Sequence, residues 1–190
     1  INKNIFHCRV CNKNSTHPVK NLVPGATRFL KDQLFTVWIC QNCQSINAHE
    51  TVDYRSIYEN YPIQKQQDDF FSRVIFEKRL KILKKIGLTK SHTIIDYGCG
   101  SGLFVKFLIN KGFKAFGYEP YNTNFNSAAT LSDKFDFVIS QDVIEHVDDP
   151  LDFLNKLKSL SKNNTTIVIG TPYSDNIDLD DRKDQVGSLH

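Results

Sequence analysis

Three glycines at alternate positions after a β-branched run constrain this chain more than any other feature. In Thr93-Ile94-Ile95-Asp96-Tyr97-Gly98-Cys99-Gly100-Ser101-Gly102-Leu103-Phe104 an apolar run closes on an acid, the glycines follow, and an amphipathic helical pattern begins. The pattern predicts a buried strand, a tight turn of bare backbone, and a helix whose amide end faces a ligand. A dinucleotide fingerprint places glycines at its first, third and sixth positions. Here the sixth position is Leu103 and the third glycine comes early, at Gly102. An acid two residues before the first glycine is also foreign to that fingerprint.

More elements follow in a regular order. A helix over 103–110 stops at Gly112, and the short run Ala115-Phe116-Gly117-Tyr118 ends at Glu119. Phe135–Ser140 reads as a buried strand, followed by Gln141-Asp142-Val143-Ile144-Glu145-His146-Val147. Asp149 then suits an N-cap and Pro150 the first helical position, with leucines at 151, 154, 157 and 160. Thr165–Gly170 reads as a fifth strand, ended by Thr171-Pro172-Tyr173.

Asp96-x-Gly98-x-Gly100-x-Gly102 resembles motif I of the class I S-adenosylmethionine-dependent methyltransferases, and the string after Ser140 resembles the post-strand-4 motif of their ubiquinone-pathway and small-molecule O-methylating branches. The resemblance covers roughly residues 70–175. It implies an α/β fold, a Rossmann-like doubly wound parallel sheet. It also implies cofactor contacts at Asp96, Tyr97, Gly98, Cys99, Gly100, Gly102, Glu119, Pro120, Gln141 and Asp142. In such enzymes the acid closing the second strand holds both ribose hydroxyls, a task that suits a carboxylate because it accepts two hydrogen bonds at once. Cys99 reads as a small filler in the turn, with nothing beside it to mark a reactive thiol. Only fifteen residues separate Glu119 from Phe135. Leu131 and its neighbours are therefore expected to form a very short third strand, with Ala129 or Thr130 near the adenine.

Asp142, Glu145 and His146 are the candidate catalytic residues. On a helical turn residues three and four apart share a face, so the three can converge. Relatives with Glu-x-x-Glu-His here bind a divalent ion such as magnesium; this chain has Asp142 in place of the first Glu. Metal binding, His146 as general base, and a purely structural turn all stay open.

The amino-terminal third has a different pattern. Cys8-Arg9-Val10-Cys11 and Cys40-Gln41-Asn42-Cys43 are two C-x-x-C pairs separated by 28 residues. Two such turns make a closed four-thiolate site for structural zinc, the second entered from the alternating stretch Leu34–Ile39. Two disulfides, a thioredoxin-like pair and an iron–sulfur cluster are the alternatives, the first requiring an oxidising compartment. A zinc knuckle ahead of such a core resembles bacterial deoxysugar C-methyltransferases, which points to a saccharide or natural-product acceptor.

Three segments result: a zinc-ribbon-like module over 1–53, a linker with a lid or lead-in helix over 54–92, and a methyltransferase core over 93–190. Tyr58, Tyr61, Phe70 and Arg73 are the candidate lid contacts. The chain holds no methionine and stops soon after the fifth strand. We therefore expect it to be carboxy-terminally incomplete and to lack the terminal β-hairpin of its class. No apolar run approaches the roughly 18 residues of a membrane span, and no secretion signal opens the chain, so a cytoplasmic protein with no membrane partner is expected. Net charge is +3, but residues 1–95 carry +8 and residues 96–190 carry −5. Lys78, Arg79, Lys81, Lys84, Lys85 and Lys90 supply much of the excess. They read as a solvated helix face; a nucleic-acid acceptor is allowed but not favoured. The three function classes are a small-molecule methyltransferase, an RNA or protein methyltransferase, and a non-catalytic cofactor-binding scaffold. The oligomeric state is not legible.

Overall fold

The computed structural model describes residues 5–25, 30, 32–53 and 67–171. Tyr58 and Tyr61, named above as lid contacts, lie outside the described residues. The chain divides into two compact units: among the described residues the first takes in those up to Asp53 together with Asp148–Leu151, and the second 67–147 and 152–171.

In the first unit β1 (Phe6–His7) pairs antiparallel with β2 (Asn14–Ser15). A second sheet runs β3 (Lys20–Pro24), β4 (Leu34–Ile39) and β5 (Ile46–Ala48), antiparallel and in that order. The β-branched and aromatic residues of β4 suit a pleated, half-buried strand. Phe35 and Val37 turn inward as alternation predicts, and Trp38 is buried as well, in a small cluster with Phe6, Cys8 and Cys40. Cys40 follows directly on β4, so the strand delivers the second cysteine pair, as the sequence suggested.

The larger unit begins with α1 (Phe70–Lys85), capped by Asp69, whose carboxylate accepts from the Ser72 amide at 2.8 Å. The helix ends ahead of Gly87, at φ +106°, a left-handed conformation that glycine adopts without a steric cost. Then follow β6 (Thr93–Tyr97), α2 (Leu103–Asn110), β7 (Lys114–Tyr118), β8 (Phe135–Gln141), α3 (Pro150–Ser159) and β9 (Ser161–Gly170). The four strands form one parallel sheet in the order β7-β6-β8-β9.

Strand parity assigns the helices to opposite faces. Ile94, Phe137 and Ile139 pack with Leu80 and Leu83 of α1 and Phe104 and Leu108 of α2. Ile95 and Val138, one residue away on each strand, pack with Phe153 and Leu157 of α3 and with Leu160. Each such side chain contributes about 1.5–3 kcal/mol of burial, which is why a sheet covered on both faces reads as continuous apolar runs. This is the doubly wound arrangement the resemblance implied. Chain order also reverses beside β6, because β7 lies on one flank and β8 on the other. A crevice at the carboxyl ends of the strands, at such a switch point, is where open α/β sheets bind ligands.

Three expectations need correction. Leu131 forms no third strand; it lies in a 3-10 turn, Ala128–Ser132, and among the described residues the sheet has four strands. Leu151 and Leu154 are 43% and 38% exposed, and Phe153 takes the inward position on α3 instead. Strand β9 starts at Ser161 rather than Thr165, since Ser161 already pairs with Phe135 across an irregularity in register.

The opposite end of the sheet is pinned by Asp136. Its carboxylate accepts from the amide and hydroxyl of Thr93, both at 2.8 Å, and from Lys162 Nζ at 2.9 Å. The Thr93 amide, then Lys162 and the Thr93 hydroxyl, hold this carboxyl far below the usual carboxylate range. A depressed acid stabilises the fold above its ordinary pKa, and that contribution is lost as pH falls below about 4. Asp136→Asn is expected to cost ~1–2 kcal/mol at neutral pH, with the gap to wild type closing in acid. Urea titrations at two pH values measure it; a gap that persists in acid removes the ionic account.

Candidate cofactor site and metal centre

The two cysteine turns are built alike. The Asn12 amide donates to the Cys8 carbonyl and the Gln44 amide to the Cys40 carbonyl, each at 2.9 Å. Asn12 and Gln44, each four residues past its cysteine, both adopt left-handed backbone, at φ 58° and 61°. Cys8 Sγ lies 3.7 Å from Cys43 Sγ, and Cys11 Sγ 3.7 Å from Cys40 Sγ. All four sulfurs lie within 4.8 Å of one another. The edge of a sulfur tetrahedron around one zinc ion is about 3.8 Å, given zinc–sulfur bonds of about 2.3 Å. The residues present therefore fit a single ion, whereas a polynuclear cluster needs its sulfurs farther apart. The thiols are not joined as disulfides.

Electrostatics point the same way. Burial pushes the Cys8 thiol up, but the Ser45 hydroxyl at 3.3 Å and the amides of Cys11 and Val10 outweigh it and bring it to about 6. The Cys43 and Asn42 amides hold Cys40 low against the effect of burial. Burial and the neighbouring sulfurs instead push Cys11 up to about 11. Four thiols at this spacing cannot all ionise without a cation between them.

In the larger unit the glycine turn, Glu119, the segment Gln141–His146 and Thr171 all follow strand ends on one edge of the sheet. The Gly98 and Cys99 amides both donate to the Tyr118 carbonyl, at 2.7 and 3.1 Å, which folds the turn back over β7. Gly98, Gly100 and Gly102 have φ of +83°, +54° and +74°, so all three need glycine's left-handed freedom. Their faces serve different neighbours. A Cβ on Gly98 would collide with Val143, so bareness here lets the segment after β8 close on the turn. A Cβ on Gly102 would enter the ring of Phe125, so the third glycine seats an aromatic plug.

Two buried carboxylates face this turn. Glu119 is 8% exposed; it accepts from the Gly100 amide at 3.1 Å and the Tyr121 amide at 3.2 Å, one bond per oxygen. Each oxygen keeps a lone pair for a further donor. Burial pushes this carboxyl up, and the two amides only partly offset it. Asp96 is 7% exposed, and among the described residues no donor hydrogen-bonds to its carboxylate. Burial pushes it up to about 7, against the pull of Arg79 and with a push from Glu119. Buried acceptors without donors are rare in folded chains, so Asp96 marks where a cationic or hydrogen-bonding ligand fits.

The other expected contacts fall as follows. The Tyr97 side chain packs under the sheet on Tyr118 and Phe153, with ring centroids 5.2 and 5.8 Å away, so only its backbone reaches the turn. Cys99 points at Gly117 on β7, and burial pushes its thiol up, leaving it inert as read above. Pro120 is exposed at the start of the next loop, and Gln141 lies over Gly170. Asp142 takes left-handed backbone at φ 54° and precedes a 3-10 turn, Ile144–His146. The single helical turn expected for Asp142, Glu145 and His146 is thus absent. Asp142 accepts from Gln141 Nε2 at 2.8 Å, while Glu145 accepts from the Thr171 hydroxyl at 3.2 Å. Among the described residues only the four cysteines gather as a metal-ligating group.

Three site residues escaped the sequence reading. Arg79, grouped above with the solvated basic face, instead reaches 3.8 Å from Asp142 and stacks over Phe104 at 5.8 Å. Its position on α1 relative to buried Leu80 and Leu83 was the available signal. Asn122, 3% exposed, donates from Nδ2 to the Gly100 carbonyl at 2.8 Å, so the Gly100 residue is held at its amide by Glu119 and at its carbonyl by Asn122. Phe125 returns its carbonyl to the Glu119 amide at 3.0 Å. Nothing in the run Tyr121–Asn126 distinguishes Asn122 from an ordinary turn residue.

Comparison with known proteins adds the lineage. A family profile described as a methyltransferase domain matches residues 64–189. A ubiquinone biosynthesis O-methyltransferase of Bradyrhizobium diazoefficiens is 28% identical over 116 residues, covering 50% of this chain and 45% of that protein. One from Rhodopseudomonas palustris strain HaA2 is 29% identical over the same length and shares. The chain thus spans less than half the length of these curated relatives. A crystal structure of coclaurine N-methyltransferase bound to N-methylheliamine and SAH is 12% identical, covering 63% of this chain and 44% of that one, at a TM-score of 0.39. On the profile match, over a fold of the class I type with its glycine turn and strand-end acid in place, the chain belongs to the methyltransferase-domain family.

Proposed function

We propose that this chain binds S-adenosylmethionine and takes part in methyl transfer to a hydroxyl of a small molecule, a saccharide or natural-product intermediate. The observation that carries the reading is the pair Asp96 and Glu119: two buried carboxylates with acceptor capacity to spare beside a turn of left-handed glycines. The bound cofactor supplies an electrophilic methyl group on a sulfonium. Glu119 then accepts from the ribose hydroxyls, and Asp96 balances the ligand's positive charge. Arg79, only loosely paired with Asp142, offers its guanidinium to the ligand's carboxylate. Asn122 and Phe125 keep the turn in shape between binding events. His146 takes the acceptor's proton at a ring nitrogen, and the chain's main contribution is to hold donor and acceptor in line.

The names of the sequence relatives support a hydroxyl acceptor, and the cysteine pairs ahead of the core support a saccharide. Cys8, Cys11, Cys40 and Cys43 hold structural zinc in a closed site that does no chemistry. Free thiols at that spacing suit a reducing, cytoplasmic setting.

Titration calorimetry with S-adenosylmethionine, its demethylated product and NAD tests the reading. Wild type is expected to bind the first two and not the third. Glu119→Ala should weaken binding by about 10–100-fold, the worth of hydrogen bonds to a buried charge. NAD binding, or an unchanged affinity in the variant, overturns the cofactor assignment.

A further inference from the structure

The outer face of α1 is apolar and basic at once. Phe71 is 76% exposed, Ile75 50% and Ile82 59%, and these positions, four and seven apart, form one row along the helix. Val74 and Ile86 extend it, at 37% and 45% exposure. The face opposite is committed, because Leu80 and Leu83 are buried in the core. Soluble proteins scatter single exposed hydrophobics, but a contiguous row of this kind marks a contact surface.

Charge identifies the contact. Lys78, Lys81 and Lys85 project from the same side of the helix, are exposed, and have no acidic partner among the described residues. The acids nearest in sequence are already engaged: Asp68 with Arg73, Asp69 as the helix cap, and Glu77 with Lys111. No acid therefore interrupts the row. A second copy of this chain is a poor occupant, since a two-fold contact through this face would set one lysine-bearing stripe against another. An acidic peptide would pair with the lysines but leave Phe71 and Ile82 partly in water. An anionic lipid surface satisfies both sets, with apolar side chains in the acyl boundary and lysines at the headgroups. We propose that the outer face of α1 docks on an anionic lipid surface. Among the described residues no helix is long and apolar enough to cross a membrane, and docking needs none to do so. Such docking runs against the expectation of no membrane partner, which rested on the lack of a spanning run and of a secretion signal, neither of which a surface contact requires.

Co-sedimentation of the full chain with vesicles tests this. Vesicles of phosphatidylcholine alone should leave the protein in the supernatant. Those with about one-third phosphatidylglycerol should pull it down, less so as salt rises. Lys78→Glu, Lys81→Glu and Lys85→Glu should each lower the partition coefficient roughly fivefold, and Phe71→Ser with Ile82→Ser by at least as much. The row is exposed, so these variants should keep the wild-type melting temperature and cofactor affinity. Ile82→Trp supplies a second readout, through quenching of its emission by brominated lipid. The proposal falls if anionic vesicles capture nothing at low salt, or if Phe71→Ser with Ile82→Ser binds as wild type does. It falls equally if wild type is a dimer that this pair of substitutions dissolves.

Discussion

Zinc added to the reduced, metal-free chain is expected to order the first unit, and a strong chelator to undo it, with the larger unit unaffected. The reason is the small size of the module. Its described apolar core is small, a cluster of Phe6, Trp38 and the cysteines plus Val23, Phe35 and Val37, too little surface to offset the chain entropy of some fifty residues. A zinc ion held by the four thiolates would supply what is missing; structural zinc in comparable short domains is worth about 10–16 kcal/mol in apparent terms. Trp38 is the only tryptophan, 1% exposed, and lies 5.4 Å from the Phe6 ring. Its emission therefore reports this unit alone. Chelation should shift it to the red and quench it, and titrating zinc back should restore it at one ion per chain. Cys8→Ser should behave as the chelated protein, while Cys99→Ser, whose sulfur faces Gly117, should titrate as wild type. Freshly purified reduced protein that contains no zinc, with Trp38 emission indifferent to chelator, would remove the metal centre. Visible absorption from bound iron would replace it with a cluster.

The contrast between what sequence showed and what it hid follows from the range of the interactions concerned. The glycine turn and Glu119 were legible because a tight turn and a strand end are local events, written within a few consecutive residues. So was a lead-in helix ahead of β6, although its cap at Asp69 was read only as part of the linker. The cysteine pairs were legible for another reason: thiolate spacing is a chemical constraint that survives the 28 residues between them. Arg79 and Asn122 were hidden because each acts across elements. Arg79 reaches from α1 to the segment after β8, and Asn122 from the loop after β7 to the turn after β6. The helical turn that could bring Asp142, Glu145 and His146 onto one face is broken at one torsion. Asp142 sits in left-handed backbone, which breaks the helical spacing that would have stacked the three side chains. The leucine row of α3 does not mark its inward face throughout. A period of three drifts around a helix with 3.6 residues per turn, so Leu151 and Leu154 rotate outward and Phe153 meets the sheet.

Asp96→Asn is expected to stabilise the ligand-free chain and to weaken the site at the same time. In the folded chain this carboxyl is pushed up to about 7 by burial, while in the unfolded chain it titrates near its ordinary value of 3.8. The folded state therefore holds a proton that the unfolded state has released between those values. Stability falls as pH rises through that window, and the full penalty stands above about 7. Asparagine has the same shape and no charge to bury. The variant should match wild type below about pH 4 and exceed it by ~2–4 kcal/mol above pH 7, the span set by a shift of about three pKa units. Glu119 is raised as well and contributes a slope of the same sign in both proteins, while its push on Asp96 is part of what the substitution removes. Binding should run the other way. A cationic ligand favours the ionised carboxylate, so wild-type affinity for S-adenosylmethionine should increase as pH rises towards and past 7, and Asp96→Asn should be weak and nearly independent of pH. Denaturant titrations at several pH values, paired with calorimetry at the same values, read both halves. A variant less stable than wild type at neutral pH would mean that the buried carboxylate is satisfied within the fold, and the case for a ligand opposite it would go with that result.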